Sequence, residues 1–171
     1  ELSVDDQADR LRQARFDDAA DLLEIPDLEE GTREDVLSVA DFAFRNGHYD
    51  FAADLYVRWF AVEGESADPE ILNDVAWRLY LSNRELAQAI DIAQRSFSLK
   101  PDPETADTLA RLLYVTGAVE EAVALEERAA REAEGSRSET YSRVAQRMEA
   151  GEPLDDLPSF DSYPGQRHRS L

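Results

Sequence analysis

The feature that most constrains this chain is that it repeats itself. Four segments, RFDDAADLL from Arg15, HYDFAADLY from His48, ELAQAIDIA from Glu85 and AVEEAVALE from Ala118, place Ala19, Ala52, Ala89 and Ala122 in one column at intervals of 33, 37 and 33 residues. A period of about 34 residues accommodates one helix, a turn and a second helix. In the last three cases a second helical stretch precedes the segment and is joined to it through Asn46-Gly47, Ser82-Asn83 or Thr116-Gly117. These residue types tolerate the backbone angles of a helix end. No single unit of this size buries its apolar face alone, so neighbours must stack into a continuous core.

With the repeat unit defined, the residues resemble the tetratricopeptide family. That family places small residues where paired helices touch, an aromatic residue after the turn glycine and a proline near the end of each unit. Gly47, Tyr49, Ala52 and Tyr56 match in one repeat; Ala76, Leu79, Ala89 and Pro101 in the next; Leu109, Ala110, Gly117, Ala122 and Ala129 in the third. The resemblance implies an all-α fold, a right-handed superhelical stack of antiparallel helix hairpins forming an α-solenoid. Two departures stand out. The second repeat has extra residues around its turn, and Trp59 occupies a place where a small residue is expected, which implies rearranged packing there.

The resemblance divides the chain as follows. Residues 1–32 form a degenerate amino-terminal helical hairpin, with Ser3 and Asp6 suited to its start; one long helix over Ser3 to Ile25 is the alternative. Residues 33–135 hold three repeats. Residues 136–150 form a capping helix, opened by a capping box of Ser136 and Glu139, with Tyr141, Val144, Ala145 and Met148 at helical spacing. Residues 151–171, EPLDDLPSFDSYPGQRHRSL after Gly151, lack periodicity and read as an extended tail. Within it, Phe160 and Tyr163 have the spacing of sparse anchors for a groove, here or elsewhere.

Charge narrows the partners. Thirty-eight acidic residues against eighteen basic ones give a formal charge of −20, a surface that repels nucleic acid phosphates and anionic lipid head groups. The one basic cluster, Arg167 to Arg169, is too short to bind nucleic acid by itself. No run of about 18 apolar residues exists to insert into a membrane, and the start carries no signal-peptide pattern. These features predict a soluble chain; a bacterial source, and with it a cytoplasmic or periplasmic location, is what the family resemblance implies. The absence of cysteine does not separate those compartments. A start at Glu1 rather than Met suggests a processed protein or a piece of a longer one. The stretch from Asn73 to Ala129 looks like the repeat segments attached to bacterial thioredoxin-fold and other exported proteins.

In the family, the first helix of each hairpin lines a concave face. Carried over by position, that face holds Glu34, Leu37, Asp41, Phe44 and Arg45, then Asn73, Trp77, Tyr80 and Leu81, then Glu104, Asp107, Arg111, Tyr114 and Val115. Asp41, Phe44, Asn73, Trp77, Tyr80, Asp107, Arg111 and Tyr114 are the candidate peptide-binding residues, an aromatic stripe with acidic edges suited to basic or neutral peptides. By spacing alone Trp77 and Tyr80 fit groove and core equally. Tyr49, Tyr56 and Trp59 fall on the second helix or turn and are assigned to packing. A sub-family that grips chaperone carboxylates uses Lys, Asn and Arg on this face. Asn73 and Arg111 compare with two of those places, whereas Leu37, Asp41 and Asp107 replace others, which weighs against such a clamp.

Catalysis needs a base, a nucleophile or a metal held by a rigid frame. His48 falls in a predicted turn and His168 in the tail, and neither has a partner by spacing. Adjacent carboxylates at Asp5-Asp6, Glu29-Glu30, Glu120-Glu121 and Glu126-Glu127 point about 100° apart on a helix and are expected to be solvated. No phosphate-cradling loop, calcium loop or nucleophile elbow is present. The sequence therefore predicts a non-catalytic module without cofactor or metal that binds a protein or peptide. Two alternatives stay open: a structural subunit of a multiprotein complex, for which Phe51, Tyr56, Trp59 and Phe60 on one short helix are the discriminating residues, and a regulatory domain detached from a catalytic one.

Overall fold

A computed structural model describes residues 30–154, with side chains from Val36 onward. The degenerate hairpin expected at 1–32 and the tail beyond 154 lie outside the described residues, save the first turn of α1. Among the described residues all regular structure is helical: α1 (Glu30–Arg45), α2 (Tyr49–Glu63), α3 (Pro69–Ser82), α4 (Leu86–Leu99), α5 (Pro103–Val115), α6 (Val119–Glu132) and α7 (Ser136–Glu149). The chain divides into two compact units, Glu1–Glu63 and Gly64–Leu171.

In the first unit α1 packs on α2. Val36, Ala40, Ala43 and Phe44 of α1 are buried, as are Ala52, Leu55, Tyr56 and Trp59 of α2. Three alanines in this set let the two backbones approach while the aromatic rings fill the remaining space. Trp59 is only 4% exposed, so the bulky residue in the small-residue position is absorbed by the core. Phe51 and Phe60 are half-buried. The aromatic crowding on α2 thus belongs to packing, and the outward-facing apolar patch that would favour a permanently buried subunit is not formed by Tyr56 and Trp59. The α1–α2 turn is closed by Gly47 at φ 81°. Asn46 Nδ2 donates to the Phe42 carbonyl at 2.7 Å and the His48 amide donates to the Ala43 carbonyl at 3.0 Å, satisfying acceptors at the helix end.

In the second unit each helix packs on the next from α3 to α7, and α3 also touches α5. The column alanines Ala89 and Ala122 are fully buried. Both first helices start on the same device: Asp68 and Asp102 in extended conformation accept from backbone amides of the first turn, with Pro69 and Pro103 at the first helical position. Asp102 adds a capping box with Thr105. The extra residues of the second repeat resolve into a turn with two left-handed non-glycine residues, Asn83 at φ 53° and Glu85 at φ 48°. The third repeat uses Gly117 at φ 95° instead.

Tyr141, Val144, Ala145 and Met148 of α7 are all buried, as their spacing predicts. Tyr141 joins Ala106 and Ala129 in one core cluster. The capping box expected of Ser136 and Glu139 does not form. Gly135 takes the cap position at φ 61°, with no side-chain cap hydrogen bond, because the helix already includes Ser136 in its first turn. After α7 the first residues of the expected tail turn back to the unit. Gly151 lies at φ 69°, the Tyr114 hydroxyl donates to the Glu152 carbonyl at 2.7 Å, Arg147 donates to the Pro153 carbonyl, and Leu154 is buried.

Candidate interaction face

The eight candidate residues separate into two sets. Asp41 and Phe44 belong to the first unit. There the Tyr56 hydroxyl donates to Asp41 Oδ1 at 2.6 Å, Arg45 lies 3.9 Å from the same carboxylate, and Phe44 is buried edge-on against Tyr49 with ring centroids 5.5 Å apart. Glu34 is in α1, but its side chain lies outside the described residues.

Asn73, Trp77 and Tyr80 come from α3, and Asp107, Arg111 and Tyr114 from α5, each trio at the i, i+4, i+7 spacing that puts residues on one helix face. Contact between α3 and α5 brings the trios together. The Trp77 and Tyr80 rings lie 5.2 Å apart, and the Arg111 guanidinium sits over the Trp77 ring at 5.6 Å, within cation–π range. Arg111 Nε donates to Asp107 Oδ1 at 2.7 Å. Tyr80 and Arg111 are buried, whereas Asn73, Trp77, Asp107 and Tyr114 are half-buried. What this face offers a ligand is chiefly the indole of Trp77 and the phenol of Tyr114. Tyr80 and Arg111 work from beneath as packing and charge.

Beside this face, between the first turns of α3 and α5, lies a cleft of about 230 Å³ lined by Glu70, Asn73, Asp74, Lys100, Asp102, Glu104 and Thr105. Lys100 bridges Glu70 at 2.6 Å and Asp102 at 3.4 Å. Hydrogen bonds to those two carboxylates raise its pKa. Four carboxylates against one ammonium leave the cleft net acidic, which favours a cationic ligand group.

No family model, curated protein or solved structure matches this chain. The geometry of the face therefore stands on its own residues.

Among the described residues there is no group of three or more His, Cys, Asp or Glu side chains placed to hold a metal, and no helix is long and apolar enough to cross a membrane. His48 is exposed in the α1–α2 turn; His168 lies outside the described residues. A second expectation is overturned. Glu126, expected to be solvated, is 0% exposed. It stands with Asp107 and Arg111 in the interior of the second unit, and burial first, then the neighbouring Asp107 carboxyl, push its pKa up to about 9 against the pull of Arg111. The sequence carried a signal for this. Glu126 follows Ala122 by four and precedes Ala129 by three, so it lies on the buried stripe of α6.

Proposed function

We propose that this chain is a non-catalytic interaction module of the tetratricopeptide kind, whose antiparallel hairpins stack in a right-handed superhelix and hold a peptide or protein segment on the concave face. The observation that carries this reading is the pairing of α3 and α5 as successive first helices, with Trp77 half-buried between Tyr80 and Arg111. A large rigid ring already fixed by its neighbours loses little entropy when a partner covers it, which is the property of an energetic anchor. The neighbouring acidic cleft supports a partner of basic or neutral character.

Selection from a displayed peptide library tests this. The full chain should enrich basic, aromatic-tolerant sequences whose binding weakens with salt and is lost in Trp77→Ala. Enrichment that Trp77→Ala leaves intact, or no enrichment at all, contradicts it.

A further inference from the structure

The interior of the second unit holds a charge imbalance. Asp107 and Arg111 of α5 form one ion pair at 2.7 Å, with side chains 15% and 6% exposed. Glu126 of α6 adds a second carboxyl at 0% exposure. Neither Glu126 oxygen receives a hydrogen bond, and Arg111 Nη1 has no acceptor. One guanidinium thus faces two carboxyl groups, and a buried ionised carboxylate with no donor is among the most costly arrangements in a protein interior.

A proton removes the imbalance. Placed on Glu126, it lets the carboxyl donate to Asp107, which lies within hydrogen-bonding reach, and brings the trio from a net charge of −1 to zero. Among the described residues, the cation that acts on Glu126 is Arg111. From α7, Tyr141 faces the trio, its hydroxyl held neutral by burial and by Asp107, with Glu104 and Arg137 also acting on it; from α3, Tyr80 faces Arg111. We propose that Glu126, Asp107 and Arg111 form a buried proton-binding site that makes the packing of α6 on α5 pH-responsive.

The site communicates with the candidate face through one side chain. Arg111 is bound to Asp107 and lies over Trp77. Loss of the proton leaves Glu126 anionic and competing for the free Arg111 Nη1, which disturbs the cation beneath the indole.

The direction of the effect follows from linkage. Glu126 holds its proton in the folded chain up to about 9, against an ordinary value of 4.5. Between those limits the folded state binds one more proton than the unfolded state. Stability is therefore fully present below the lower value and falls as pH rises, by about tenfold in the folding constant per pH unit. This is opposite to the behaviour of a carboxylate stabilised by a salt bridge.

Carbon-13 titration of glutamate carboxyls in the intact chain tests the site directly. One resonance, absent in Glu126→Gln, should titrate several units above the others. Trp77 emission in a Trp59→Phe background should change with the same midpoint. A folded chain in which every glutamate titrates in the ordinary acid range overturns the proposal. Unfolding curves between pH 6 and 8, with His48 and His168 replaced by Asn, give an independent check. The parent should lose about tenfold in folding constant per unit, and Glu126→Gln should be flat. A flat parent, or a parallel slope in the variant, also overturns it.

Discussion

In the first unit the residue four places after the column alanine Ala52 is Tyr56, and eleven places before that alanine stands Asp41. The hydroxyl donates to the carboxylate at 2.6 Å and both groups are satisfied. In the third repeat the same two places, counted from Ala122, hold Glu126 and Arg111, with Asp107 one turn earlier. Both positions after the alanine are buried, Tyr56 at 1% and Glu126 at 0%. One backbone framework thus holds two chemistries: a neutral donor on an acid in one hairpin, and an acid among ions in the other. The framework sets which positions are interior, and residue identity decides whether the interior is balanced without solvent protons.

The contrast breaks most severely at Arg111. Replacing it with Met leaves two buried carboxyl groups without a cation, and should cost about 3–5 kcal/mol at neutral pH. The loss should shrink as pH falls and the acids are neutralised, a trend that denaturant unfolding at several pH values would reveal. In the first unit, Tyr56→Phe removes a single donor. Asp41 is 27% exposed and retains Arg45, so the cost should be about 1 kcal/mol, with no slope between pH 6 and 8.

Smaller effects separate the turns. Glu85 adopts φ 48° without being glycine, a conformation costing roughly 1 kcal/mol. Glu85→Gly should therefore raise stability by up to about 1 kcal/mol, read from the unfolding midpoint. Gly117→Ala should lower it by a similar amount. A Cβ there meets nothing within 4 Å, so its cost comes from the φ of 95° alone.

The turns, the column alanines Ala52, Ala89 and Ala122 and the buried face of α7 were legible in the sequence because periodicity and local backbone chemistry specify them. At the start of α7 a plausible capping box at Ser136 lost to a cap at Gly135. Glu126 was missed because adjacent acids suggest a solvated pair, although its place between Ala122 and Ala129 marks the interior. Burial of Tyr80 and Arg111, and partial exposure of Trp77, depend on how α3 meets α5. Spacing within one helix carries no information on that contact.

Whether the α3–α5 face is a binding surface or a piece of core turns on Trp77. Denaturant unfolding of Trp77→Ala in the full chain measures it directly. The account predicts a loss of about 1–2 kcal/mol with the cooperativity unchanged, since the ring is only partly buried and rests against Tyr80 and Arg111 at the edge of the core. A loss of about 3–5 kcal/mol, the cost of truncating an aromatic core residue, would place Trp77 in the interior and contradict the assignment of this face to a partner.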